Sequence, residues 1–249
     1  MIVPVTLVRP AYRLYQLAWA GLDWLYPPTC GGCGKPGSRW CSDCQRSTQI
    51  LAESICQRCG KILGDTGFCA SCRDYPPPYT ALRSWADYGG SLRQAILRLK
   101  YRGDISLGEI LARPMLRILK SQGWQLDLVT PVPSGIARKA KRGYNQAALL
   151  ALPLALGAGI HYRAQALIKR RETPSQVGLL SAQRWKNVVG SFQARREFVE
   201  DRSVLVVDDV TTSGATMHAC ALALLEAGTS RVYGLTLARA EISTVQMPL

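Results

Sequence analysis

The residues best suited to chemistry lie in the segment VLVVDDVTTSGAT, Val204 to Thr216. An apolar run delivers two adjacent acids, Asp208 and Asp209, and passes into a hydroxyl-rich turn formed by Thr211, Thr212, Ser213, Gly214, Ala215 and Thr216. Successive backbone amides, a glycine that permits close approach and a helix start behind them suit a phosphate dianion. The two carboxylates accept hydrogen bonds and therefore suit the vicinal hydroxyls of a ribose. Simple helix capping would explain one acid or one hydroxyl, not the whole set. No Walker lysine follows a glycine-rich loop, which argues against a nucleoside triphosphatase.

A second chemistry is carried by cysteine. Eight of the nine cysteines form four CxxC pairs, Cys30/Cys33, Cys41/Cys44, Cys56/Cys59 and Cys69/Cys72. Each CxxC turn presents two sulfurs to one side of a metal, and four thiolates around zinc supply folding energy that a short polar segment lacks. CGGCGK at Cys30–Lys35 is repeated as CQRCGK at Cys56–Lys61. That duplication favours sequential pairing on two zinc ions, with a cross-braced arrangement as the alternative. Gly34 and Gly60 follow the second cysteine of their pairs, where a positive φ turns backbone amides toward the sulfurs. An iron–sulfur cluster is a weaker alternative because the ferredoxin spacing is missing. Thioredoxin-type redox sites need a CxxC that opens a helix of a βαβ unit, and none does so here. Metal knuckles need reduced thiolates, which points to a cytoplasmic setting. Cys220, in HACALALLEAG, reads as a buried small hydrophobe.

The elements that must position these groups follow from periodicity. LDLVTPVP, SVLVVDD and RVYGLTLAR read as strands, while YNQAALLALPLAL, with a possible kink at Pro153, and TMHACALALLEAG read as helices. The alternation predicts an α/β fold, a parallel sheet with helices on both faces, whose ligands bind beyond the carboxyl ends of the strands. YPPPY, Tyr75–Tyr79, is a stiff extended boundary. The expected organisation is an amphipathic N-terminal helix within residues 1–28, a double zinc ribbon over 29–75 and the α/β domain over 79–249. In the N-terminal segment Leu14, Leu17, Ala18, Leu22 and Leu25 recur at helical spacing, interrupted by Arg9, Arg13 and Asp23. The segment is too short and polar to span a membrane, so this apolar face is expected to pack on the protein itself.

The chain has 249 residues, and 31 Lys and Arg against 17 Asp and Glu give a formal net charge of +14. The cations cluster at Arg98, Lys100 and Arg102, at Arg138, Lys139, Lys141 and Arg142, and at Lys169, Arg170 and Arg171. Such clusters favour polyanions or phosphate-rich ligands.

The Val204–Thr216 segment closely resembles the motif with which type I phosphoribosyltransferases bind phosphoribosyl pyrophosphate (PRPP). TPVPS, Thr130–Ser134, resembles that family's pyrophosphate loop and nominates Val132, Pro133 and Ser134. Lys169–Val188, which includes Gln176, resembles the mobile loop that closes over PRPP in glutamine phosphoribosylpyrophosphate amidotransferase. With the zinc module, the set PTCGGCG, LKYRGD, PVPS, KRGYNQ, TPSQ, RWKNV and VVDDVTTSGAT is similar to the ComF, or GntX-like, family. The resemblance runs from about Tyr26 to Leu237. It implies a phosphoribosyltransferase fold with Mg2+ accompanying PRPP, and a role in DNA uptake during natural transformation. It also implies handling of the incoming single strand beside a membrane-associated translocation ATPase, which would place the protein in the cytoplasm, peripheral at the inner face of the membrane.

Purine salvage enzymes of this fold carry a carboxylate where this chain has Thr212, so protonation of a purine by that route is lost. Pyrimidine enzymes carry a threonine there, and no cysteine precedes Cys30 to act as a glutaminase nucleophile. Three readings follow: a PRPP-fold protein that binds single-stranded DNA, an active Mg2+-dependent transferase, and a sensor that binds PRPP or a nucleotide without turnover. In the first, Lys100, Arg102, Lys141, Arg142, Arg170 and Arg171 would meet backbone phosphates while Tyr101 and Tyr144 stack on bases.

Overall fold

The computed structural model describes residues 9–51, 54–171 and 190–240. TPSQ, with Gln176, and RWKNV lie outside the described residues.

Helix α1 (Pro10–Leu25) leads into the cysteine module, which contains two short helices, α2 (Ser42–Ser47) and α3 (Ala70–Asp74). The α/β domain follows as β1 (Ala81–Asp87), α4 (Gly90–Tyr101), α5 (Leu107–Ser121), β2 (Leu128–Pro131), α6 (Ile136–Arg142) and α7 (Gln146–Ala158). It continues through β3 (His161–Tyr162), β4 (Leu167–Lys169), β5 (Phe192–Ala194), α8 (Arg196–Val199), β6 (Ser203–Thr211), α9 (Ala215–Glu226) and β7 (Arg231–Arg239). The main sheet runs β1-β7-β6-β2-β3 with every neighbouring pair parallel. A two-stranded antiparallel ribbon, β4 with β5, lies beside it.

The apolar run of β6 is explained by burial on both faces. Leu205 and Val207 face a core built with Ile96, Leu111 and Leu154 of α4, α5 and α7. Val204 and Val206 face the opposite core, with Leu167, Phe192, Leu224 and Cys220, which is fully buried as expected. Register then aligns the strand ends, with Pro131 opposite Val207 and Arg239 opposite Thr211. Residues that leave β2, β6 and β7 therefore gather at one edge.

Pro153 does not break α7. Proline has no N–H to give the carbonyl four residues back, Leu149, and Gly108 of α5 packs against that group. A Cβ at Gly108 would stand 2.8 Å from the Leu149 oxygen, so the close crossing of α5 and α7 requires glycine there.

Helix α1 packs on the body of the protein, but by a different face from the expected one. Leu14, Leu17, Leu22 and Leu25 are 46–67% exposed. Tyr12, Gln16 and Asp23 turn inward instead: Tyr12 is buried, Gln16 donates to the Glu109 carboxylate at 3.2 Å and Asp23 pairs with Arg39 at 2.7 Å. Of the polar interruptions of the leucine pattern, Asp23 is a docking group, while Arg9 and Arg13 are exposed. Glu109 is fully buried and satisfied by Arg113 through two contacts of 2.9 and 3.0 Å, so helix and ribbon are fastened to α5 through one ionic network.

Candidate functional site

Strand β6 ends by placing Asp208 and Asp209 at the carboxyl edge of the sheet, and the chain turns through Thr212, Ser213 and Gly214 into α9. Gly214 adopts φ +78, a left-handed conformation that glycine takes without steric cost, and as N-cap residue it offers no side chain to the helix. The first turn of α9 therefore has no side-chain cap, and the Ala215 amide makes a long contact of 3.5 Å with the Ser213 hydroxyl. A small polar cleft of about 30 Å3 lies between Asp208, Thr211, Thr212, Gly214 and Thr216.

The acids are not equivalent. Asp208 accepts the Asp209 backbone N–H at 2.9 Å, whereas Asp209 is buried and its Oδ1 lies 2.9 Å from the Lys100 ammonium. Asp209 Oδ2 is buried without a hydrogen-bond partner among the described residues. Burial and the adjacent Asp209 charge raise the Asp208 carboxyl to about 7, against the pull of Lys100 and Lys169. Burial works against the Lys100 charge, but Asp209 and Asp208 outweigh it and hold the ammonium more firmly protonated. Lys100 is therefore an internal partner of the acid pair rather than an exposed phosphate contact.

Of the remaining expected residues, the Val132 turn lies at this edge, and Lys169 is near enough for its charge to act on Asp208. The backbone amide of Val132 donates to Val207, and its carbonyl accepts from Asn145, so the Val132–Pro133–Ser134 turn is held beside β6. Short α6 carries Arg138, Lys141 and Arg142. Arg142 lies 4.9 Å above the ring of exposed Tyr101 and donates to Gln146, bringing the end of α6 next to the end of α4. Arg102, Lys141, Arg170 and Arg171 are exposed. Tyr144 instead donates to the Leu99 carbonyl at 2.6 Å and is a packing residue.

The eight paired cysteines form two sequential clusters, Cys30, Cys33, Cys41 and Cys44, then Cys56, Cys59, Cys69 and Cys72, with the four sulfurs of each within 4.8 Å of one another. The two halves fold alike. Cys30 donates its amide to Lys35 at 2.8 Å and Cys56 to Lys61 at 2.7 Å, and Gly34 and Gly60 have φ +78 and +69. Burial pushes the Cys30 and Cys56 thiols up, but backbone amides, including those of Cys41 and Cys69, outweigh it and bring both to about 6. Four clustered sulfurs with preset amide donors fit a tetrahedral zinc ion at each site.

Reasoning from sequence missed β1 and α4, and with them two functional groups. The first is the edge strand on which the second ribbon sits, where Leu82 donates to Arg58 and Arg83 to Gln57. The second is the placement of Lys100, which the LKYRGD motif flags without revealing its partner. A cavity of about 1020 Å3 between the second ribbon and the Thr212–Gly214 turn was also not foreseen.

These features define a parallel α/β domain behind a double zinc ribbon. Residues 21–73 match the double zinc ribbon domain family. The chain is 32% identical over 216 residues to the DNA utilization protein YhgH of Salmonella typhi, covering 83% of this chain and 94% of that protein. It is 30% identical over 209 residues to competence protein F of Haemophilus influenzae, covering 80% and 90%. The chain belongs to the family of these two proteins, the ComF family. Among solved structures, glutamine PRPP amidotransferase from B. subtilis complexed with ADP and GMP is 24% identical, with a TM-score of 0.40 over 56% of this chain and 30% of that enzyme. The chain thus spans less than a third of that enzyme's length. No helix among the described residues is long and apolar enough to cross a membrane.

Proposed function

We propose that this protein handles incoming single-stranded DNA during DNA uptake, as a PRPP-binding phosphoribosyltransferase fold. The observation that carries the ligand reading is the buried Asp209 carboxylate, whose Oδ2 lacks a donor among the described residues, on the strand that leads to the uncapped start of α9. A buried acceptor without a donor is costly, and a ribose hydroxyl would supply one. Phosphate then lies on the Thr211–Thr216 turn and pyrophosphate near Val132, Pro133 and Ser134, with Mg2+ carried on the pyrophosphate. The names of the relatives, a DNA utilization protein and a competence protein, support the nucleic-acid role.

In this reading Arg102, Lys141, Arg142, Arg170 and Arg171 form a basic margin around the site that tracks a strand's phosphates. A translocation ATPase at the membrane would feed that strand to it. Labelled oligothymidine titrated at several salt concentrations tests the idea. Wild type binds with an affinity that falls steeply with salt, and Lys141→Ala with Arg170→Ala flattens the slope by about 0.7 per cation removed. Salt-independent binding, or an unchanged slope in the double variant, would remove the DNA reading.

A further inference from the structure

The cavity of about 1020 Å3 is walled on one side by the second zinc ribbon and floored on the other by the Thr212–Gly214 turn. Its walls include Tyr75, Tyr79, Pro76 and Pro77, with Lys61 and Arg239 as cations. The site is assembled jointly. Strand register puts Arg239 opposite Thr211, and the Arg239 guanidinium donates to the Cys59 carbonyl, which locks the ribbon to the sheet end. Gly60 sits so close that a Cβ there would meet the Leu82 oxygen at 2.5 Å, so the ribbon is seated directly on β1. Rigid aromatic and proline surfaces with nearby cations suit a flat ligand, and the turn suits a phosphate.

We infer that this cavity holds the base of a nucleoside 5′-monophosphate unit whose phosphate rests on the Thr212–Gly214 turn, the second zinc ribbon forming the wall against which the base lies. The inference rests on the phosphate reading of that turn and adds the class of ligand. Ser71 and Asp74 also line the cavity and offer a donor and an acceptor to a base edge. The unit is either a free mononucleotide or the phosphorylated end of a DNA strand.

The test is calorimetry on the zinc-loaded full chain with adenosine 5′-monophosphate and with ribose 5-phosphate. The monophosphate should bind about tenfold more tightly, the effect of one stacked base. Tyr75 is 84% exposed and Lys61 is exposed, so Tyr75→Ala and Lys61→Ala should leave the fold intact. Both should lower the monophosphate's advantage while ribose 5-phosphate binds as before. Equal affinities in wild type, or an advantage untouched by both variants, would overturn the inference and leave the phosphate reading standing. If ribose 5-phosphate does not bind at all, the phosphate reading fails and this inference falls with it. Competition by 5′-phosphorylated oligothymidine assigns the base to a strand end, and lack of competition assigns it to a free nucleotide. Either result leaves the shared chemistry in place.

Discussion

The two zinc ribbons are near copies in backbone and differ in what they hold. The first is attached to the helical side of the molecule. Gly31 lies against Leu107 and Ala95, Arg98 donates to the Cys30 carbonyl at 2.9 Å, and Arg39 joins α1 to α5 through Asp23 and Glu109. The second is attached to the sheet edge through Arg58, Gln57 and Cys59, and it opens onto the cavity above the Thr212–Gly214 turn. A duplicated module has thus been used once as a staple and once as the wall of a cavity. The difference lies in the knuckles, where Gly31 and Gly32 in one stand for Gln57 and Arg58 in the other, and in Arg39 between the first pair of knuckles.

The largest effect should come from the staple. Arg39 is almost fully buried, and Arg39→Ala leaves Asp23 and buried Glu109 with fewer cations. Breaking such a network costs about 3–5 kcal/mol. For a chain of this size that lowers the melting temperature by on the order of 10 °C. Affinity for ribose 5-phosphate, measured below the melting range, should stay unchanged. A loss of ligand binding with no loss of stability would erase the distinction between the ribbons.

Next in size is a matched pair of glycine substitutions. Gly34→Ala meets open space and carries only left-handed backbone strain, about 1–2 kcal/mol. Gly60→Ala carries the same strain and also drives a Cβ into the Leu82 oxygen, so it should destabilise more and weaken ligand binding by displacing the cavity wall. Melting curves, with zinc content by native mass spectrometry expected at two ions per chain, check the pair. Equal losses in both variants would show that the second ribbon is not seated on β1 as described.

The smallest effect concerns the acid pair. A carboxyl raised to about 7 by burial and a neighbouring charge contributes stability that is full below the ordinary carboxylate range. That contribution is lost as pH rises through 7. Asp208→Asn removes the penalty, so its melting temperature relative to wild type should rise between pH 5 and pH 8. The expected gain is at least about 2–4 °C, the shift that 1 kcal/mol produces in a chain of this size. A difference that stays constant with pH would contradict the crowded-acid picture.

How much of this was legible beforehand depended on the range of each interaction. The cysteine clusters and the positive φ of Gly34 and Gly60 were readable because four ligands and a turn are local, and duplication gave the pairing. Strand β6 was readable because both its faces are buried, which makes it continuously apolar. Strand β1 was not, since ALRSWAD interleaves Arg83 and Ser84, whose partners are remote: Gln122, the ribbon backbone and Thr236. Lys100 looked like one more surface cation until the sheet placed Asp209 beside it. The leucine face of α1 misled because Tyr12, Gln16 and Asp23 find buried polar partners in other elements, which periodicity cannot register.

The ribose-phosphate site proposed at the end of β6 is tested most directly by titrating PRPP with Mg2+ into the wild type and into Asp208→Asn with Asp209→Asn. Saturable binding by the wild type and none by the double variant, with the variant's zinc content and oligothymidine affinity retained, is the predicted result. Failure of the wild type to bind, or equal binding by both proteins, would contradict it.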